Sequence, residues 1–129
     1  MRIIIAGGPR CGKTTFAEML GKKSGFIVRH TDDLIGKFDW SEDSEEVARW
    51  FDNTDNWIVE GVATVRALRK WLKTHHRSEK PCELIYWSNT PHVLLTPKQM
   101  SMSRGIFTVW NEIREQLLMR DVIIEDMPR

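Results

Sequence analysis

Two rhythms of apolar and polar positions run along the chain. Arg2-Ile3-Ile4-Ile5-Ala6 is a continuous β-branched run, the pattern of a strand covered on both faces. A glycine-rich turn follows, and from Lys13 to about Leu20 the apolar Phe16, Ala17 and Leu20 recur at helical spacing, with Gly21 or Gly25 as a stop. Phe26-Ile27-Val28 predicts a second strand ending near Arg29 and His30. Residues 31–56 are mostly polar, with a helical segment over Ser44–Phe51, and Trp57-Ile58-Val59-Glu60 predicts a third strand.

Over residues 64–74, Val65, Leu68 and Leu72 share one helix face, and Arg66, Lys70 and Lys73 form a stripe on another. Leu84-Ile85-Tyr86-Trp87 predicts a fourth strand. Thr96-Pro97 predicts a helix cap and first turn, Ile106, Val109, Trp110, Ile113 and Leu117 mark a long amphipathic helix, and Val122-Ile123-Ile124 ends the series as a strand. Strands alternating with helices give an α/β fold. The expectation is one P-loop kinase domain over residues 1–129, with a five-stranded parallel sheet in the order 2-3-1-4-5 flanked by helices, and a lid-like segment at about 96–105.

The turn after the first strand carries the chemistry. Gly7-Gly8-Pro9-Arg10-Cys11-Gly12-Lys13-Thr14 fits G-x-x-x-x-G-K-[ST] at every fixed position, between a predicted strand and a predicted helix. Glycines let the backbone curl until successive N–H groups point inward as an anion nest, which Thr15 extends, and the helix adds its positive end. Lys13 then bridges the β- and γ-phosphates of ATP, and Thr14 offers its hydroxyl to magnesium. Glu60 ends an apolar strand and precedes Gly61, a Walker-B-like placement for a carboxylate that holds magnesium through water and faces the substrate.

A phosphate cradle alone does not separate kinases from switches. Thr31-Asp32-Asp33 falls past the second strand, at the sheet edge where open α/β folds bind ligands. Asp32 is the candidate general base for an acceptor hydroxyl; Asp33 is the reserve on the substrate side, with helix capping as its other reading. Lys98 and Arg104, in the polar segment before the long helix, are candidates to offset charge during transfer. A cation near that helix's positive end is unfavourable by about 0.3 kcal/mol or more, so a phosphate partner would compensate Arg104. Arg66 is a further candidate acceptor contact, against the alternative of a solvated helix face. Trp40 and Trp50 could stack on a base, although core packing accounts for most of the six tryptophans.

Composition narrows the classes. At 129 residues with 41% apolar positions, the chain suffices for one core, and the run Ile3–Ala6 is too short for a membrane span, so no membrane partner and a cytoplasmic location are expected. Two cysteines, one of them inside the glycine-rich turn, point to reduced thiols. The net charge of +1 hides a division: residues 30–61 carry ten acidic and two basic side chains, and residues 62–120 four and ten. An acidic side facing a basic phosphate-binding side is one reading; solvated helix faces are the other.

The motif from Gly7 to Thr15 and the strand end Ile58-Val59-Glu60-Gly61 resemble the adenylate-kinase-like branch of P-loop kinases. Thr31-Asp32-Asp33 resembles the Arg-Asp-Asp of the phage polynucleotide kinase, which implies Asp32 as base; the arginine that follows in that enzyme is replaced by Ile35. A resemblance over nearly the whole chain rests on His30-Thr31-Asp32-Asp33, Trp40-Ser41-Glu42, Glu60-Gly61-Val62, Arg66-Ala67-Leu68-Arg69-Lys70-Trp71, and Gly105 through Trp110 with Glu112. These are similar to small phage kinases of thymidine hypermodification. The resemblance implies transfer from ATP to 5-hydroxymethyluracil in DNA. The alternatives are a nucleoside, nucleotide or small-metabolite kinase, and an NTP-binding regulatory switch.

Overall fold

The computed structural model describes residues 1–34 and 40–128, with the backbone alone at Trp40. In chain order these form β1 (Arg2–Gly7), α1 (Lys13–Ser24), β2 (Ile27–His30), a single 3-10 turn (Thr31–Leu34), α2 (Trp40–Trp50), β3 (Trp57–Glu60), α3 (Thr64–Thr74), β4 (Leu84–Ser88), α4 (Pro97–Met119) and β5 (Ile123–Asp126). Among the described residues the five strands pair in parallel in the order β2-β3-β1-β4-β5. That is the expected order.

β1 sits in the centre because its residues are apolar on both faces. Ile4 and Ala6 join Val59, Ile85 and the buried faces of α2, α3 and α4 in one core; Ile3 and Ile5 join Ile58, Ala17 and Phe16 beneath α1 in another. The period of two along a strand sends alternate side chains to opposite layers. The edge strands are correspondingly wetter, with Ile27 70% and Ile123 56% exposed. Trp50, Trp57, Trp71 and Trp110 are buried, and Trp87 stacks on Trp110 with centroids 4.4 Å apart. Trp50 is also covered by the Arg29 guanidinium, 3.8 Å from its ring centre, so it offers no face to a base.

Two helix boundaries differ from those the sequence pattern predicts, and a third settles an alternative. Helix α1 runs through Gly21 and stops at Gly25, the second of the two expected stops, whose N–H bonds to the Gly21 carbonyl. Helix α2 begins at Trp40, a full turn before Ser44. Thr96 and Pro97 do cap and open α4 as expected, with Thr96 and Gln99 closing a reciprocal capping box; what differs is that the helix continues unbroken through 98–105, the polar segment expected to precede it. Both cysteines are free and buried. No helix of the described residues is long and apolar enough to cross a membrane.

Candidate active site

The chain leaves β1 toward β2 and β3 on one side and later crosses to β4 and β5 on the other. The strand order therefore reverses at the carboxyl end of β1, where a crevice opens in sheets of this kind. A cleft of about 610 Å³ lies there. Pro9, Arg10, Cys11, Gly12, Lys13, Thr14 and Thr15 form one wall, and Asp32, Asp43, Glu60, Gly61, Val62, Gln99 and Met102 form the rest. Gly7 and Gly8 stand behind the cleft, with the Gly8 N–H donating to the Ser88 carbonyl at 3.2 Å.

Gly12 occupies the N-cap of α1 in the left-handed region, with φ 82°. No side chain caps this end and no acidic residue occupies the first turn, so the free N–H groups and the positive end of α1 face the cleft uncompensated. This is the electrostatic requirement of an anion site. Lys13 is 6% exposed, and its ammonium donates to the Gly8 carbonyl. Burial holds its pKa below the ordinary lysine value, against the opposing charges of Cys11, Glu60 and Asp32.

Glu60 is 2% exposed, and its Oε1 accepts from the Thr14 hydroxyl at 3.2 Å. The same oxygen lies 2.7 Å from His30 Nδ1, and His30 Nε2 lies 2.7 Å from Glu18 Oε1. Burial disfavours the charged imidazole, yet hydrogen bonds and charge from Glu60 and Glu18 outweigh it and raise the His30 pKa. Thr14 and Glu60 thus converge as the sequence pattern predicts. They suit magnesium, which uses one or two protein oxygens and keeps waters and phosphates for the remainder.

Gly61 explains how Asp32 reaches the cleft. A Cβ at Gly61, where φ is 138°, would fall 1.8 Å from the Thr31 hydroxyl oxygen. The bare glycine lets the end of β3 touch the turn after β2, and that contact places Asp32 in the same cleft as Glu60 and Lys13. Asp32 is exposed to solvent there. Asp33 follows on the same turn, exposed and outside the cleft lining.

The expected cations stand elsewhere. With α4 starting at Pro97, Gln99 and Met102, three residues apart, face the cleft, while Lys98 and Arg104 are exposed and outside its lining. Arg104 instead borders a separate hollow of about 390 Å³ beside Leu94 and Met100. It is the eighth residue of the helix, beyond the first turn in which the dipole penalty would act. The Arg66 guanidinium packs toward α4, 3.4 Å from where a Gly105 Cβ would stand, and also lies outside the cleft lining. The Trp40 side chain lies outside the described residues.

Sequence reasoning missed His30, Gln99, Met102 and Asp43. Asp43 is 7% exposed, lines the cleft from the first turns of α2, and has an Oδ1 without a hydrogen-bond partner. A helix started at Ser44 leaves Asp43 outside it; an acidic Glu42-Asp43 pair at a helix start was the available signal.

No protein-family model matches this chain, and no curated protein matches it in sequence. Solved structures do resemble it. The shikimate kinase from Acinetobacter baumannii in complex with shikimate is similar over 99% of this chain and 84% of that one, with a TM-score of 0.57 and 11% identity. The shikimate kinase from Aquifex aeolicus vf5 is similar over 99% and 89%, with a TM-score of 0.56 and 14% identity. At these identities the likeness speaks for the fold.

Proposed function

We propose that the protein is a kinase that moves the γ-phosphate of ATP onto the hydroxyl of a small acceptor. One observation carries the reading: a buried lysine and an uncapped helix start line a single cleft together with two carboxylates, Glu60 and Asp32. Magnesium, when bound beside Thr14 and Glu60, supplies charge neutralisation at the phosphate oxygens.

The chain's own residues supply the remainder. The N–H groups at the start of α1 hold the phosphates, and Lys13 exchanges the Gly8 carbonyl for a phosphate oxygen. His30 fixes the Glu60 carboxylate from behind. Asp32 accepts the acceptor hydroxyl's proton as the new O–P bond forms and the bond from phosphorus to the leaving ADP oxygen breaks. The solved shikimate kinase with shikimate bound is a precedent of the same fold for a small hydroxyl acceptor.

A second reading, 5-hydroxymethyluracil in DNA as the acceptor, is favoured by the resemblance that spans His30 to Asp33, Glu60 to Val62 and Gly105 to Trp110. A base in duplex would have to swing out of the stack to meet Asp32. Incubation with γ-labelled ATP, magnesium and separate acceptors tests both: free nucleosides, shikimate, 5-hydroxymethyluracil DNA and ordinary DNA. Label on a small acceptor supports the first reading, and label on the modified DNA alone supports the second. Slow ATP hydrolysis with no labelled acceptor identifies a nucleotide-dependent switch.

A further inference from the structure

Two buried polar atoms among the described residues lack a hydrogen-bond partner, the Thr31 hydroxyl oxygen and Asp43 Oδ1. Only Asp43 lines the cleft. Buried polar atoms without partners are rare in native proteins because each forfeits its hydration and receives nothing back. Asp43 does complement the positive end of α2, but that interaction needs neither burial nor a cleft position, and a solvated carboxylate would provide it. Neighbouring polar groups find partners: Ser44 Oγ donates to the Ser41 carbonyl at 3.0 Å, and Lys70 donates to Ser41 at 2.7 and 3.0 Å.

The charges around Asp43 define what completes it. Cations in the described lining, Arg10 and Lys13, belong to the phosphate wall; the other charged lining residues are Asp32, Asp43 and Glu60, with Val62 and Met102 as apolar surface. An acceptor carrying a carboxylate or phosphate beside Asp43 would bring like charges together where water screens them poorly. A carboxyl oxygen without a partner is completed by an N–H or O–H donor.

We infer that Asp43 is an acceptor-specificity residue, whose free carboxyl oxygen receives a hydrogen bond from an N–H or O–H of the molecule phosphorylated in this cleft, on a part of that molecule that carries no negative charge. The inference rests on the kinase reading and deepens it. The acceptor class is a donor-bearing ring or polyol without an acid group on the ring, with an apolar face for Val62 and Met102. An imide-bearing pyrimidine fits; shikimate, whose ring carries a carboxylate, does not.

Asp43→Asn and Asp43→Ala test this in two independent ways. Thermal melts of the ligand-free protein come first: the Asn variant, which keeps a side-chain oxygen at the start of α2, should melt within about 2 °C of wild type, because the protein gives Oδ1 no partner to lose. A fall of more than about 5 °C would mean that the protein itself satisfies Asp43, and the inference is overturned. Transfer kinetics come second, with 5-hydroxymethyluracil DNA, its N3-methylated counterpart, free nucleosides and shikimate as probes. Whichever acceptor other than shikimate takes label, kcat/KM should fall roughly 10- to 100-fold in Asp43→Ala and less in Asp43→Asn, which keeps an accepting oxygen, with the KM for ATP within about twofold of wild type. Equal losses for ATP and acceptor, or shikimate as the preferred wild-type acceptor, also overturn it. Should no acceptor take label, the kinase reading fails, and the melts still decide whether the protein or a ligand satisfies Asp43.

Discussion

The two walls of the cleft are built on opposite plans. The phosphate wall is one contiguous loop whose polar groups are satisfied within it or by the neighbouring strand ends: Lys13 on the Gly8 carbonyl, the Cys11 thiol on the Pro9 carbonyl at 3.5 Å, and Thr14 on Glu60 of β3, which His30 of β2 holds in turn. The acceptor wall gathers Asp32 from the turn after β2, Asp43 from α2, and Gln99 and Met102 from α4, and it keeps an unpartnered oxygen. A contiguous loop can preorganise itself through its own backbone. A wall made from three separate elements has no such closure, and the acceptor completes it. Damage to the first wall should therefore strike nucleotide binding and rate together, and damage to the second should strike transfer while sparing nucleotide.

Lys13→Ala is the most severe way to break the phosphate wall. The ammonium is buried and bonded inside the loop, and alanine leaves the phosphates without their point charge. Transfer should fall by roughly 10³-fold or more, about 4 kcal/mol of transition-state stabilisation. Calorimetric titration with ATP and magnesium should show weakened binding in parallel. Nearly unchanged binding with lost transfer would place the lysine's whole effect in the transition state and separate the two halves of the claim.

Asp32→Asn probes the other wall. Transfer should drop roughly 10²- to 10⁴-fold, the range for a removed general base, while ATP affinity stays within about twofold. Full activity in this variant would transfer the base role to another carboxylate of the cleft, with Asp43 the first to test.

These walls also differed in how far the sequence exposed them. The phosphate wall is legible because strand, loop and helix are consecutive, so one motif carries both identity and placement. Glu60 is legible from its apolar approach and its glycine. Asp43, Gln99 and Met102 depend on where helices begin, and a shift of one turn changes which residues face the cleft. Thr96 and Gln99 spelled the capping box in the sequence, but Ser101, Ser103 and Gly105 are poor helix formers, and only packing of Ile106 and the residues beyond it carries the helix through them. The continuation of α4 through 98–105 leaves Lys98 and Arg104 outside the cleft lining.

His30→Ala should be milder, since it leaves both walls standing and loosens one carboxylate. Glu60 keeps Thr14 but loses its 2.7 Å partner. The magnesium concentration for half-maximal transfer should rise by roughly 10-fold, in keeping with removal of a supporting partner, with the KM for ATP at saturating magnesium little changed. A magnesium titration at constant ATP measures it. An unchanged magnesium requirement would show that Thr14 and the strand alone hold Glu60.

The smallest effect belongs outside both walls and calibrates them. At the opposite edge of the sheet, Glu83 accepts from the Arg2 N–H at 2.7 Å and from its guanidinium at 2.6 to 3.3 Å. Burial alone would raise the Glu83 pKa; the bonds and charge from Arg2 more than reverse it, so the folded carboxyl sits below its usual value. A depressed carboxyl pKa contributes stability above the unfolded value and loses it as pH falls through the folded one. Glu83→Gln should therefore cost on the order of 1 kcal/mol at pH 7, and the gap to wild type should narrow from about pH 4.5 downward as Glu83 in the wild type takes up its proton. Denaturant melts at neutral and acid pH measure the gap, and ATP binding at pH 7 should be untouched. A gap that stays constant into acid would assign the cost to lost packing of the Arg2 stem, while a change in ATP affinity would show that the cleft feels strain from the far edge of the sheet, which would end its use as an independent pair of walls.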